Sequence, residues 1–443
     1  MPAPSAPAER GLGPAAVVAV MIGNMVGTGV FTSLGFEARD LRTPFALLLL
    51  WAVGGATALC GALCYAELGA ALPRSGGEYV YLGRAYHPLV GFLGGWVSLT
   101  AGFAAPIALA GLAFGRYLAA VVPGVRPLPA SLALVAAAAA LHAGRLAAGR
   151  RVQVALTAVN LLLLAAFVAA GLARGVQPVP LAPSAAALRE VASPAFAVSL
   201  VYVGYAYSGW NAAGYVAGEI RDPARTIPRA LAAGTALVTA AYVLLNYTFL
   251  RAVPLAELPG VVEVGALAAR RTFGPAGAAA ASATIALLLV ATVSGMLLAG
   301  SRVTQAVAAG LGGARGLGRR TRGGVPRNAV LLQAALVAAL LLSDAFEPVM
   351  AYAGFTLVLS STLTVAAVAV LRRREPALPR PYRARGYPAT AAAYVLVSLW
   401  TLGFVLAERP RESLLGLATV LAGVPVWRLA GRGARPAGVS GAR

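Results

Sequence analysis

Two stretches of small and polar residues interrupt long apolar runs, and their residue types suit the binding of a small charged ligand. The stretches are residues 23–29 and residues 204–214. The three glycines of the first stretch cost roughly 1 kcal/mol each in a helix, which predicts a helix break. N–H groups at the start of a half-helix suit a carboxylate, and carbonyls at the end of another suit an ammonium. A site with both groups would bind a zwitterion, of which α-amino acids are the simplest abundant kind.

The composition indicates that these breaks lie in a membrane protein. Of the 443 residues, 59% are apolar and 12% are charged, whereas ordinary soluble proteins have about 25% charged residues. The 36 basic residues are all arginine and lie between apolar runs. A nucleic-acid-binding protein would gather them on one exposed face, so no nucleic-acid partner is predicted.

The same composition excludes several kinds of chemistry. Without lysine there is no Schiff base and no phosphate-loop lysine. Two cysteines and two histidines provide neither a disulfide framework nor a metal cluster. The spans contain no Ser/His/Asp set and no paired carboxylates, so a membrane-embedded enzyme is disfavoured. We therefore predict no enzymatic activity, no cofactor and no metal.

Close helix packing is the alternative explanation for the first stretch, because Gly23 and Gly27 form a GxxxG pattern. Asn24 and Thr28 weigh against it, since polar groups at membrane depth usually serve a site. The residues predicted to bind the substrate are Met25, Gly27, Thr28, Gly29, Tyr205, Ala206, Ser208 and Asn211.

The apolar runs predict an all-α integral membrane protein with about 12 transmembrane helices, counted at about 20 residues per span. The N-terminal segment lacks the pattern of a cleaved signal peptide. The predicted spans are 14–36, 43–71, 88–121, 129–147, 151–172, 193–218, 228–250, 276–309, 328–343, 348–371, 387–406 and 413–430.

Arginine placement predicts the orientation, because basic residues are retained on the cytoplasmic side. Most arginines lie in the connections that share a side with both termini, which places the termini in the cytoplasm and the chain in the plasma or inner membrane. Connections 310–327 and 372–386 are then cytoplasmic, and 251–275 is external. The run of Arg315, Arg319, Arg320 and Arg322 could also bind anionic membrane lipids, although topology alone explains it.

Breaks in the first and sixth spans are the pattern of an inverted-repeat transporter with its substrate at the bilayer midplane. Spans one to five and six to ten would then form the two repeats. The predicted divisions are a cytoplasmic tail (1–13), the first repeat (14–172), an external connection (173–192), the second repeat (193–371), a cytoplasmic connection (372–386), two added spans (387–430) and a cytoplasmic tail (431–443).

Motifs at both breaks resemble those of the amino acid–polyamine–organocation (APC) superfamily, most closely the L-type amino acid transporter branch and its bacterial relatives. Residues 27–31 (GTGVF) are similar to the first-helix signature of that family. Residues 66–79, with Glu67 and a Ser-Gly-Gly segment, are similar to its second-helix and first-loop motif, and residues 205–211 (YAYSGWN) are similar to its sixth helix. The resemblance extends over about residues 11–310.

The resemblance implies a LeuT-like fold of 5+5 inverted repeats and alternating access. It further implies that the amides of Thr28 and Gly29 bind the substrate carboxylate. The carbonyls of Met25, Tyr205 and Ser208 would bind the amine, with Tyr205 in the place of an aromatic gate.

One departure from the family pattern concerns coupling. Many members carry a lysine in the fifth helix whose ammonium fills a sodium position, and Asn160 stands there in this chain. Exchange, another proton carrier or a bound cation remain open as alternatives. The coupling or gating candidates are Asn160, Thr292, Ser294, Glu67 and Glu219. For Glu67 and Glu219, pairing with arginine or helix capping is the favoured structural role, and His142 is interpreted as a loop residue.

These observations predict a permease for neutral α-amino acids, with protons as the possible coupling ion. No acidic residue is visible near the predicted pocket, which favours neutral over cationic substrates. An amino-acid exchanger and a transporter-fold amino-acid sensor are the alternatives. Protein partners are not predicted.

Overall fold

The computed structural model describes residues 11–144, 149–174, 177–310, 316–319, 321 and 326–431. These residues form helices joined by short connections, with a single isolated bridge between Leu12 and Ile220. A π-helical segment, Ser98–Ala104, joins α6 to α7. The helices are α1 (Pro14–Met25), α2 (Thr28–Thr32), α3 (Leu34–Asp40), α4 (Pro44–Ala71), α5 (Glu78–Ala85), α6 (Pro88–Val97), α7 (Ala105–Ala119), α8 (Pro127–Gly144), α9 (Gly149–Arg174), α10 (Ala185–Val191), α11 (Pro194–Tyr207), α12 (Ala212–Tyr215), α13 (Pro223–Ala252), α14 (Val264–Gly310), α15 (Arg327–Leu341), α16 (Phe346–Arg374), α17 (Ala389–Glu408) and α18 (Pro410–Gly431).

Within the described residues, eight helical segments are long and apolar enough to cross a membrane. The pair α10 and α11, bent by 64°, meets the same criteria when taken together. Shorter apolar helices cover Pro127–Ala143, Leu162–Arg174 and Arg327–Leu341. The prediction of an all-α integral membrane protein is therefore confirmed. The eight segments are Pro14–Thr32, Pro44–Ala71, Pro88–Ala119, Pro223–Ala252, Val264–Ala309, Phe346–Arg374, Ala389–Glu408 and Pro410–Ala430.

Several helix boundaries differ from the predicted spans because proline and glycine determine them. The sixth span was predicted to reach residue 218, but α11 ends at Tyr207. The seventh starts earlier than predicted, at Pro223, where proline fits the first turn. The eighth also starts earlier, at Val264, and turns at Gly274, whose φ is 74°. Helices α5 and α10 were not predicted because both are short.

Three aromatic residues form the centre of the bundle. Trp51 of α4 lies 5.9 Å from Tyr207 of α11 and 5.5 Å from Tyr242 of α13, measured between ring centroids. All three side chains are fully buried. Helix α4 packs along both α11 and α13, and α1 lies against α13. This aromatic cluster of Trp51, Tyr207 and Tyr242 therefore joins the helices that carry the two breaks.

Polar contacts between connections gather at the two ends of the bundle. At one, which we call the Glu347 end, Glu347 pairs with both Arg39 and Arg409. Glu190 accepts a hydrogen bond there from the Thr43 hydroxyl at 2.6 Å. The connections that meet at this end are those near residues 40, 190, 345 and 409.

The opposite end is reached along α4, whose 28 residues span about 42 Å. At this Glu67 end, Glu67 pairs with Arg372 at 2.6 Å. The backbone N–H of Leu12 donates to the carbonyl of Glu219 at 3.0 Å. The beginning of the described chain thus lies with the connections that follow α4, α11 and α16.

Candidate functional site

The first predicted break occurs between α1 and α2. Helix α1 ends at Met25, and Val26 is extended with φ −77° and ψ 92°. Gly27 follows with φ −137° and ψ −146°, and α2 begins at Thr28. Ser33 keeps helical angles between α2 and α3, so one half-helix continues over residues 28–40.

The second predicted break follows α11. Ser208 is extended, with φ −59° and ψ 154°, and Gly209 has a φ of 104°. Glycine is needed at position 209 for a second reason: a Cβ there would lie 2.6 Å from the carbonyl oxygen of Asn24. The chain becomes helical again at Ala212. The two breaks are therefore in direct contact.

Four of the predicted site residues meet where the breaks face each other. A Cβ on Gly29 would lie 2.6 Å from both Cα and Cβ of Ala206, so only glycine allows this approach. The hydroxyls of Thr28 and Tyr205 lie 3.1 Å apart and share a hydrogen bond. All four residues are buried. Their backbone groups thus lie beside one another inside the protein.

The carbonyl groups at the breaks already have hydrogen-bond donors. The Tyr242 hydroxyl, on α13, lies 2.6 Å from the Met25 oxygen and 3.3 Å from the Ala206 oxygen. The carbonyl of Tyr205 accepts from the N–H of Ser208 at 2.9 Å. Each carbonyl has a second lone pair, so it can still accept from a ligand. Sequence reasoning missed Tyr242, because a single tyrosine in an apolar span carries no distinctive signal.

Ser208 and Asn211 both line a cavity beside the second break. Ser208 lines a cavity between α4, α11, α16 and α17, together with Thr57. The Asn211 amide donates to Glu78 Oε1 at 2.6 Å and to the Tyr215 hydroxyl at 3.2 Å. Asn211 therefore holds the buried side chain of Glu78, the first residue of α5. Sequence reasoning did not single out Glu78, because its partner lies 133 residues along the chain.

The coupling candidates on α14 face in different directions. Thr292 faces the first break, with Cγ2 3.9 Å from where a Cβ on Gly27 would lie. Ser294 instead lies 2.7 Å from Nε2 of His142, which is on α8. His142 is 7% exposed, so its interpretation as a loop residue was wrong: the helix continues past it to Gly144. The side chain of Asn160 lies outside the described residues.

The two acidic coupling candidates both lie at the Glu67 end. Glu67 is buried, accepts two hydrogen bonds from Arg372 at 2.9 and 2.6 Å, and accepts another from the N–H of Ala384 at 2.7 Å. Glu219 is exposed and lines a cavity of about 510 Å³ with Arg302. Of the arginine run that is explained by topology, with lipid binding as the alternative, Arg315, Arg320 and Arg322 lie outside the described residues.

A family comparison supports the resemblance seen in the motifs. The family model described as "Amino acid permease" matches residues 12–416. The chain belongs to the amino acid permease family. This confirms the predicted APC superfamily membership, and the family is one of permeases and not of enzymes.

Two relatives of this permease align over nearly the whole chain. It is 29% identical over 440 residues to "Large neutral amino acids transporter small subunit 2" of Homo sapiens, covering 95% of this chain and 80% of that protein. It is 28% identical over 440 residues to "Asc-type amino acid transporter 1" of Mus musculus, covering 95% and 81%. It is 32% identical over 263 residues to "b(0,+)-type amino acid transporter 1" of Homo sapiens, covering 56% and 53%.

Proposed function

We propose that this permease is a secondary transporter that moves neutral α-amino acids across the cell membrane by alternating access. The observation that carries the proposal is the contact between the two breaks, where Gly29 packs on Ala206 and Thr28 bonds to Tyr205. Irregular backbone at membrane depth is tolerated only where it lines a cavity or is buried in protein. Family membership and the relatives named for neutral amino acids agree with this function.

The substrate would bind through its two charged ends. Its carboxylate accepts hydrogen bonds from N–H groups at the start of the 28–40 half-helix, those of Gly27, Thr28 and Gly29. Its ammonium donates to carbonyls at the ends of α1 and α11, those of Met25, Tyr205 and Ser208. Each charge-assisted bond is worth about 1.5–3 kcal/mol. Ala206 packs against Gly29 beside these groups, and Asn211 acts through its bond to Glu78.

Selectivity for neutral side chains follows from how the nearby carboxylates are used. Glu78 accepts from Tyr65 at 3.0 Å and from Asn211 at 2.6 Å. Glu37 accepts from the Trp51 indole at 2.9 Å. Neither carboxyl group belongs to the residues predicted to bind the substrate, so a cationic side chain held at those residues would stay unpaired, which costs several kcal/mol.

The proposed architecture is LeuT-like, with twelve spans in two inverted repeats, 14–172 and 193–371, followed by two added helices. The candidate spans, the bent pair and the three shorter apolar helices supply the segments. We propose that the Glu67 end is cytoplasmic, since the chain start at Leu12 and the arginines near 372–385 lie there. Both termini would then be cytoplasmic.

Exchange is the second candidate, because the chain has no lysine and Asn160 stands in the predicted lysine position. A neutral amide provides no permanent charge and does not titrate near neutral pH. Under exchange, internal amino acid accelerates external uptake, and a pH gradient has little effect.

Counterflow in proteoliposomes tests the proposed function. Vesicles loaded with unlabelled leucine should accumulate labelled leucine transiently, and empty vesicles should not. Competition by a panel of amino acids then defines the substrate class, and preferential uptake of arginine or a polyamine would contradict neutral selectivity. Binding without counterflow would mark the chain as a sensor. Imposed proton, sodium and counter-substrate gradients separate symport from exchange.

A further inference from the structure

Glu37 is a buried carboxyl group that none of the predicted roles uses. It lies on α3, five residues beyond Thr32, the last residue of the first candidate span. Its side chain is 0% exposed. The half-helix that carries it begins at Thr28, so Glu37 moves together with the amides proposed to bind the substrate carboxylate.

Among the described residues, the Glu37 carboxyl pairs with no cation, and its polar neighbours are the side chains of Trp51 and Ser33. Its Oε2 accepts from the Trp51 indole at 2.9 Å, and Oε1 is buried without a partner among the described residues. The polar groups that face it are Ser33 at the α2–α3 junction, Trp51 on α4 and Tyr207 on α11. The charged neighbour on its own helix, Arg39, pairs instead with Glu347.

An ionised carboxylate is unstable in such a place. Removing a charge from water without a cationic partner is expensive, and a buried carboxyl group takes up a proton instead. Burial raises the pKa of Glu37 to about 8, although the Trp51 hydrogen bond lowers it. When α3 is packed as in this structure, the Glu37 carboxyl group is therefore the neutral acid at ordinary pH.

Glu37 is linked to both breaks through the aromatic cluster. Trp51, its donor, packs on Tyr207 and Tyr242. The Tyr207 hydroxyl donates to the Trp51 carbonyl at 3.0 Å, and Tyr242 donates to the Met25 carbonyl at 2.6 Å. A charge on Glu37 therefore acts directly on the residues that hold the breaks together.

We propose that Glu37 is a proton-binding site that makes closure of the 28–40 half-helix depend on pH. The carboxyl takes up one proton when α3 packs against α4 and α11, and releases it when the half-helix separates and water reaches it. The proton comes from the aqueous phase at the Glu347 end. One proton bound per closure changes the ratio of closed to open molecules by up to tenfold per pH unit. This inference rests on the proposed function, because alternating access requires the half-helix to open.

A buried cysteine at the end of α3 tests the proposal. Leu41 is 0% exposed, so Leu41→Cys reacts with a water-soluble maleimide only when the half-helix opens; Cys60 and Cys64 are first replaced by alanine. The labelling rate of purified Leu41→Cys protein is measured between about pH 6 and about pH 9. Because maleimide reacts with the thiolate, whose fraction also rises with pH, this rate is divided by the rate of the same cysteine in the Glu37→Gln background. We expect this ratio to rise at least tenfold with pH, and a constant ratio would overturn the proposal.

Glu78→Gln is the matched control. Glu78 is also buried with one unpartnered oxygen, but its Oε1 accepts from both Tyr65 and Asn211. The pH-dependent rise should persist in this background, and its disappearance there would also overturn the proposal.

A second variant covers the case in which Glu37→Gln does not yield folded protein. Trp51→Phe removes a donor that favours the ionised form and so raises the pKa of Glu37 in the closed state. The pH-dependent rise in labelling should therefore continue to a higher pH, and an unchanged or lower upper limit would contradict the role of Glu37. Counterflow at about pH 4.5, where the carboxyl is largely protonated even when water reaches it, should be similar in native and Glu37→Gln protein. Absence of counterflow from native protein would refute the transport function, while the labelling ratio still decides the proton site.

Discussion

The closest approach of the two breaks, at Gly29, gives the most specific prediction. Gly29→Ala adds a Cβ that would lie 2.6 Å from two atoms of Ala206. Both atoms belong to or adjoin the backbone, so the helices have to separate by about 1 Å to restore an ordinary contact near 3.6 Å. Overpacking of this kind costs about 1–3 kcal/mol. If the strain falls on the closed state, substrate affinity should drop by about 5- to 150-fold.

The assay is equilibrium binding of labelled leucine to purified protein, with counterflow as the functional readout. Gly204→Ala is the matched control on α11, the helix that carries Ala206, because its Cβ would lie 3.6 Å from Val358 Cγ2, an ordinary contact. Gly27→Ala should be milder than Gly29→Ala, since its nearest neighbour, Thr292 Cγ2, lies 3.9 Å away. Native affinity in Gly29→Ala, or equal losses in Gly29→Ala and Gly204→Ala, would refute the reasoning.

Three further predictions concern stability and topology. Glu67→Gln should lower the thermal unfolding midpoint, because it leaves Arg372 without its buried partner, at a cost of about 3 kcal/mol; an unchanged midpoint would mean that the pair contributes little. The pKa of Glu37 is raised from 4.5 to about 8, so the contribution of Glu37 to stability should be greatest below about pH 4.5 and fall by about 1.4 kcal/mol per pH unit up to about pH 8; the difference in unfolding midpoint between native and Glu37→Gln protein, measured by differential scanning fluorimetry, should change over this range and be constant above it. Arg270→Cys, exposed on α14, should label from outside intact cells and Arg319→Cys should not, and the reverse pattern would invert the topology.

The broken helices could be predicted because their cause is local. Glycine and polar residues within an apolar run oppose a continuous helix whatever surrounds them, and residues 27–31 and 205–211 also carry family motifs. The breaks accordingly fall at Val26–Gly27 and at Ser208–Gly209. The boundaries of α11 and α14 were less accurate, because hydropathy does not register a turn at a single glycine.

The partners of individual side chains could not be predicted because they come from distant helices. His142 meets Ser294 across 152 residues, and Tyr242 meets Met25 across 217. Trp51 and Glu37 are only 14 residues apart, yet the connection between α3 and α4 decides whether they face each other. Hydropathy patterns identify which helices exist, whereas the choice of neighbours depends on packing.

The bridging hydroxyl of Tyr242 has a consequence for the heat of ligand binding. One hydroxyl carries one proton. The oxygen of Tyr242 lies 2.6 Å from the Met25 carbonyl and 3.3 Å from the Ala206 carbonyl, so its O–H bond points mainly toward Met25. An incoming ammonium that uses the second lone pair of the Met25 oxygen weakens the bond from the hydroxyl, which can then turn toward Ala206, so the net gain in hydrogen bonding is smaller than the number of new contacts. Calorimetry should then give a modest binding enthalpy that becomes more favourable in Tyr242→Phe, where no bond has to be given up.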